Sequence, residues 1–298
     1  MNHRIGVDGG GSKTEVILVD GSGAIVARHL SQGCNPSVVG REEAARIALL
    51  AMEGLLAGHP GVAVELTLLC MAGSRGFWQG FAAALAGFGR VVASDDSLPV
   101  LELATDGGPG MVLHSGTGSF VAARAVAGEH TGIHYAGGLG FLFGDPGSGY
   151  DIGRRAVARA VLELQGWAPP SGLGPLLKST AGVDTADALL GHYYGSAPAT
   201  SQIAAIAPAV LRLAAEGDAA AREAAVESAA GLLALAKRVA ARLFPDTVPG
   251  SLQVGLSGSI LNHPVVSRGL AAQSPFRLNP VDSPPIEGVR RALMGLEP

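Results

Sequence analysis

Gly6-Val7-Asp8-Gly9-Gly10-Gly11-Ser12-Lys13-Thr14 ends a short apolar run in three consecutive glycines. Ile5–Asp8 reads as a strand, 9–12 as a turn and Glu15–Asp20 as a second strand. Gly21-Ser22-Gly23 then turns the chain into a third strand over 24–28. Glycines let backbone N–H groups approach an anion closely, and Asp8, at the strand end, can hold Mg²⁺ through water. This is not a Walker A loop, because Lys13 follows Ser12 instead of closing a GxxxxGKS/T pattern. A Gly-rich hairpin without a ligand is the alternative, since such turns are common.

The pattern returns at Met111. Residues 111–114 read as a strand, Ser115-Gly116-Thr117-Gly118-Ser119 as a second Gly-rich turn, and 120–125 and 133–135 as further strands. One such turn is a weak signal; two at the same place in a repeated unit are stronger. Two similar halves would bury their sheets separately and leave a cleft, where facing hairpins can grip the phosphates of one nucleotide. Between the repeats, 41–57 has helical apolar spacing and Gly58 just past its end. Residues 64–70 and 90–93 read as strands, and 77–86 and 97–104 as helices. Later, 152–168 and 201–244 are helical in composition, with a stop and N-cap at Gly217-Asp218. Residues 169–175 and 245–250 read as loops, 252–256 as a last strand, and 284–296 as containing a last helix.

The 298 residues suit two modest domains or one large one. Nearly half are apolar, the net charge is −4, and no long charge run appears. Nothing here predicts a nucleic-acid or membrane partner. The N-terminus has no signal-like apolar stretch and no run of about 18 apolar residues occurs, so a cytoplasmic location is expected. Cys34 and Cys70 form no CxxC pair, which argues against a zinc site or a disulfide framework. The histidines lack metal-ligand spacing, and no GxSxG nucleophile elbow is present.

Four further places could carry chemistry. Asp95 ends an apolar strand, where carboxylates of open α/β sheets face ligands; it could accept the proton of an attacking sugar hydroxyl. Its alternative is a helix N-cap, a role Asp96 or Ser97 can fill. Gly137-Gly138-Leu139-Gly140-Phe141-Leu142-Phe143-Gly144-Asp145-Pro146-Gly147-Ser148-Gly149-Tyr150 is too glycine-rich for regular structure. It is either a shaped loop whose backbone and Asp145 meet sugar hydroxyls, or a structural Ω-loop. Asn35, before Pro36, is a turn residue or an amide contact to a sugar. Ser257-Gly258-Ser259-Ile260-Leu261-Asn262 is an ordinary strand-to-helix turn, or one on which adenine and ribose lie. Lys13 and Arg75 are phosphate-side cations or merely exposed.

Taken in order, these segments resemble a known family. GVDGGGSKT resembles the first phosphate motif of the actin, hexokinase and Hsp70 superfamily, HSGTGS its second, and VGLSGSILN its adenosine motif. GGLGFLFGDPGSGYDIGRRA resembles the segment shared by N-acetylglucosamine and glucosamine kinases of the BadF/BadG/BcrA/BcrD ATPase family and by the activator ATPases of acyl-CoA reductases and dehydratases. The resemblance implies an α/β fold of two actin-like (ribonuclease H-like) domains, each a mixed five-stranded sheet with helices, with a nucleotide cleft between them. Residues 1–110 plus a helix at 284–298 would form one domain and 111–283 the other. It implies ATP-dependent phosphorylation of an amino sugar, N-acetylglucosamine first and glucosamine as the alternative, by a homodimer. Asp95 would be the base; Asn35, Asp95, Gly137, Gly138 and Asp145 would bind sugar. ATP would be bound by Gly10, Gly11, Ser12, Lys13, Thr14, Gly116, Thr117, Gly118, Ser257, Gly258 and Asn262, with Mg²⁺ near Asp8. Ser94 stands where the family commonly has Asn or Thr, and His114 where relatives that hold Mg²⁺ with two carboxylates have Asp. The activators' cluster cysteines follow the second phosphate motif, whereas both cysteines here precede it, which disfavours that more distant reading.

Overall fold

The structure, a computed structural model, describes residues 2–126, 131–195 and 199–297. Strand β1 (Asn2–Gly9) pairs antiparallel with β2 (Lys13–Val19), and β2 antiparallel with β3 (Ile25–Gln32). On its other side β1 runs parallel to β4 (Ala63–Met71), and β4 parallel to β5 (Arg90–Asp95). The second sheet repeats this strand for strand. Strands β6 (Gly110–Ser115), β7 (Ser119–Ala125) and β8 (Gly132–Gly137) form an antiparallel meander. Strands β9 (Val254–Ser257) and β10 (Leu278–Pro280) add parallel to β6 in turn. The orders are β3-β2-β1-β4-β5 and β10-β9-β6-β7-β8, which are the same order read from opposite edges. The doubled pattern in the sequence is therefore a doubled five-stranded mixed sheet.

The contacts within the chain divide it into two compact units. One holds the residues up to Gly108 and those from Asp282 onward; the other is Pro109–Val281. In the first unit, side chains alternate across the sheet as a pleated strand requires. Val16, Leu18, Leu69 and Met71 face the helix Arg41–Ala57, through its Ile47, Ala51 and Met52. Ile17, Val19, Leu68 and Cys70 face the other way, onto Ile286, Val289 and Leu293. These last three lie on one face of the helix Pro285–Met294. In the second unit, β6 and β7 pack with the helices Gly149–Leu164 and Ala219–Leu243 in one cluster. No helix among the described residues is long and apolar enough to cross a membrane.

The structure differs from the sequence expectations in several places. The third strand reaches Gln32 and does not stop at Arg28, because β2 pairs with it from Lys13↔Gln32 onward. The helix expected over 152–168 ends at Leu164: Gly166 adopts φ +82° and Trp167 N–H bonds back to Leu162 O, as in a Schellman cap. Part of the expected loop 169–175 is helical, since Leu173–Ala181 begins there. Pro175 is tolerated in that first turn, and the Glu163 carboxylate accepts from the N–H groups of Ser171 and Gly174. The stretch 201–244 is three helices, broken at Ile206 as well as at Gly217. The break at 217–218 is as expected, with Asp218 Oδ1 accepting from Ala221 N at 2.8 Å. Strand β10 was not foreseen.

Candidate active site

Parallel pairing aligns the C-terminal ends of β1, β4 and β5. Asp8 lies beside Cys70 and Cys70 beside Ser94; one step on, Gly9 lies beside Met71 and Met71 beside Asp95. Two acids expected to do chemistry, Asp8 and Asp95, thus sit at the same end of the sheet, the C-terminal end of its parallel strands, where α/β sheets bind ligands. Partial burial pushes the Asp8 carboxyl up to about 6; Lys13 opposes this, and the charges of Asp96 and Glu15 add to it. The Asp96 carboxyl is likewise raised, by burial and then by Asp95. Asp96 occupies the N-cap position of the helix Ser97–Thr105, yet its side chain makes no capping bond.

Asp95 is gripped by Arg75. Arg75 Nε donates to Asp95 Oδ1 at 3.1 Å, and its Nη2 donates to Oδ2. Arg75 opens the helix Arg75–Ala84, capped by Ser74. Just before it, Gly73 takes φ +100°, and a Cβ there would lie 3.0 Å from Asn35 Oδ1. Asn35 Oδ1 accepts from Ser37 N at 2.9 Å, so the turn reading of Asn35 describes its oxygen. Asn35, Gly73, Arg75 and Asp95 therefore form a continuous shelf.

The first Gly-rich turn is closed by Gly10 N–H to Lys13 O at 2.9 Å and braced by Cys34 N–H to Gly10 O at 3.0 Å. A Cβ on Gly33 would lie 2.1 Å from Gly11 O, so only glycine permits that approach, whereas one on Gly11 would meet nothing within 4 Å. Packing within the chain thus requires Gly33 but leaves Gly11 bare, as an anion-facing turn would be. Gly11, Ser12 and Lys13 are exposed. Lys13 Nζ pairs with Glu15 at 2.9 Å. Thr14 is buried, and its hydroxyl donates to Gln32 O at 2.8 Å. Cys34 and Cys70 are free thiols, both buried.

In the second unit, the 115–119 turn is tied to the glycine-rich loop. Ser115 Oγ donates to Gly147 O, Ser119 Oγ to Pro146 O, and Gly149 N–H to Gly116 O. Gly138 N–H donates to Ser119 O at 3.0 Å. A Cβ on Gly118 would lie 3.0 Å from Asp145 Oδ2. Asp145 is buried, its Oδ1 has no partner among the described residues, and burial raises its carboxyl. An unpartnered buried acceptor calls for an explanation. The loop itself holds a short helix, Gly140–Phe143. Gly137, Gly138, Asp145 and the second turn are thus in one place.

The third motif meets this turn from β9. Gly258 has φ +93°, and a Cβ on it would lie 2.0 Å from Ser115 O. Ser257 Oγ lies 3.2 Å from His114 Nδ1. Burial pushes the His114 imidazole down to about 4, so it is neutral at pH 7. Asn262 Nδ2 donates to Val281 O, while its Oδ1 is buried without a partner among the described residues. Beside these turns opens a cavity of about 690 Å³, bounded by Gly116, Thr117, Ser259 and Ile260 on one side and by Pro208 and Arg212 on the other. The sequence reading missed the wall built by Ser201, Pro208, Leu211 and Arg212, and missed His263. Pro208, near the start of the helix Ala207–Ala215, was the visible sign of a break there.

Residues 5–292 match the family described as BadF/BadG/BcrA/BcrD ATPases. The chain belongs to that family. The chain is similar to an N-acetylmuramic acid/N-acetylglucosamine kinase of Clostridium acetobutylicum, 30% identical over 174 residues. The match spans 54% of this chain and 54% of that relative, about half the length of each. Among solved structures, a candidate N-acetylglucosamine kinase from Chromobacterium violaceum superposes with TM-score 0.77 at 25% identity, covering 99% of both chains. One from Porphyromonas gingivalis superposes with TM-score 0.70 at 20% identity over 98% of both, a likeness of fold. The chain therefore shares the mixed-sheet α/β architecture of those structures across nearly its whole length.

Proposed function

We propose that this protein is an ATP-dependent sugar kinase that phosphorylates the 6-hydroxyl of an amino sugar, N-acetylglucosamine before glucosamine. The observation that carries the nucleotide half is the cavity where the second Gly-rich turn and the β9 turn meet. Its volume suits a nucleoside, and Gly116 and Thr117 stand at its phosphate side. The exposed turn at Gly11 and Ser12 would supply further backbone donors to phosphate, the role that its resemblance to the first phosphate motif implies. The sugar half rests on the shelf of Asn35 and Asp95, on the orphaned Asp145 Oδ1, and on the named activity of the relatives.

In the reaction, a bond forms between sugar O6 and the γ-phosphorus as the bond to the β,γ-bridging oxygen breaks. The electron pair leaves with ADP, and the O6 proton passes to Asp95. The protein's part is to position the hydroxyl and offset charge, which is where most catalysis of this transfer lies.

Mg²⁺ fits the residues present. Among the described residues no group of three or more His, Cys, Asp or Glu could cage a metal. Mg²⁺ needs none, since it keeps waters and binds through one or two carboxylates together with substrate phosphates. Asp8 offers such an oxygen; burial first, and then the charges of Asp96 and Glu15, disfavour its ionised form, and a bound cation would offset that penalty. When bound, Mg²⁺ would neutralise charge on the phosphates.

A coupled ADP-release assay across free and acetylated hexosamines tests this reading. The expected result is turnover that requires a sugar and is fastest with N-acetylglucosamine. Because a methyl-sized pocket for the acetyl group discriminates by only about 1–3 kcal/mol, glucosamine should be used 10- to 100-fold less efficiently and not be excluded. ATP turnover indifferent to every sugar would end the kinase reading.

A further inference from the structure

Asp95 stands at the open end of β5, where a carboxylate on its own would sample several rotamers. A general base must be held in near-attack geometry, and a misplacement of about 1 Å can cost a hundredfold in rate. The only carboxylate partner of Arg75 among the described residues is Asp95, and the grip is two-pronged: Nε to Oδ1 at 3.1 Å and Nη2 to Oδ2. Such a fork fixes the plane of a carboxylate as well as its position. The side chain of Arg75 is 59% exposed and that of Asp95 21% exposed. A pair in that setting contributes little to stability, so folding does not explain it. Its location does offer an explanation. Arg75 begins a helix that the chain enters through Gly73 and its N-cap Ser74, and Gly73 lies against Asn35, so one turn links the amide and the carboxylate that the kinase reading assigns to the sugar.

We propose that Arg75 is the positioning residue for Asp95. With no sugar bound, its fork occupies both carboxylate oxygens; when the acceptor hydroxyl arrives, one prong yields its oxygen to that O–H and the other keeps the carboxylate aimed. The proton then has an acceptor already in place. This assignment rests on the sugar-kinase reading above and adds to it a residue on which the acceptor step depends.

The test compares wild type, Arg75→Ala, Arg75→Lys, Asp95→Asn and the Arg75→Ala/Asp95→Asn double variant with N-acetylglucosamine and ATP. Arg75→Ala is expected to lower kcat by about 10- to 100-fold, with the KM for ATP and the melting temperature unchanged. Arg75→Lys, which keeps the charge but not the fork, is expected to recover only part of that loss. Millimolar guanidinium added to Arg75→Ala is expected to restore some turnover. The double variant is expected to be no slower than Asp95→Asn alone, because the two residues act as one unit. Wild-type kcat in Arg75→Ala, or a double variant whose losses multiply, overturns the proposal and leaves the kinase reading standing. A wild-type protein that transfers nothing to any amino sugar overturns both.

Discussion

Asp95→Asn is expected to lower kcat for N-acetylglucosamine phosphorylation by about 10²- to 10⁴-fold, the usual contribution of a positioned general base. Asparagine keeps the size and shape of the side chain, and its oxygen can still accept from Arg75 Nε, where Asp95 Oδ1 now accepts at 3.1 Å. What it loses is the capacity to take a proton from the attacking hydroxyl. Sugar and ATP should therefore bind nearly as before, and the loss should fall on kcat far more than on either KM. The result would also separate Asp95 from its neighbour. Asp96 is raised by burial and by Asp95 itself, and it sits at a helix N-cap without using its side chain there. If Asp95→Asn turns over at the wild-type rate, the base is elsewhere and Asp96 is the next carboxylate to remove.

Gly258→Ala is expected to destabilise the protein by about 2–5 kcal/mol and to abolish measurable ATP binding, from strain at positive φ and backbone overlap together. The residue has φ +93°, which an L side chain adopts only under strain, and its new Cβ would meet Ser115 O at 2.0 Å and Ser115 C at 2.7 Å. These are backbone atoms at the start of the second Gly-rich turn, so no side chain can swing aside. The β9 turn would have to move off β6, where His114 and Ser257 are paired in register. Gly11→Ala is the informative contrast. A Cβ there meets nothing within 4 Å, so its melting temperature should stay unchanged while ATP affinity falls. Thermal unfolding with a nucleotide-binding titration checks both. A stable, ATP-binding Gly258→Ala protein would show that the close approach of the two turns does not matter.

The repeat that defines the fold was legible because it is written in local chemistry. Apolar runs that stop at glycine clusters gave β1, β2, β6 and β7, and Asp218 after Gly217 gave a helix start within one residue of the observed Ala219–Leu243. What failed depends on distant partners. Gln32 belongs to β3 only because Lys13 lies opposite. Three-residue β10, Leu278–Pro280, has no pattern of its own and is a strand only beside β9. The helix beginning at Leu173 exists partly because Glu163, on the preceding helix, satisfies its free N–H groups. The candidate site divides in the same way. Glycines and strand-end acids announce themselves by type and spacing, so Asp8, Asp95, Gly116 and Asp145 could be named. Arg212 and Pro208 line the cavity from an alanine-rich helix whose composition says only that it is a helix. Arg75 could be seen as a cation, but its grip on Asp95 comes from the adjacent ends of β4 and β5 and is not visible along the chain.

The central claim is transfer of phosphorus to a sugar oxygen, and ³¹P–¹H correlation NMR of a mixture of protein, ATP, Mg²⁺ and N-acetylglucosamine reads that bond directly. Phosphoryl transfer to O6 predicts a new phosphomonoester resonance coupled to the two protons on C6 of the sugar, growing in step with ADP. Inorganic phosphate as the sole new phosphorus product beside ADP, with the sugar unmodified, would contradict it.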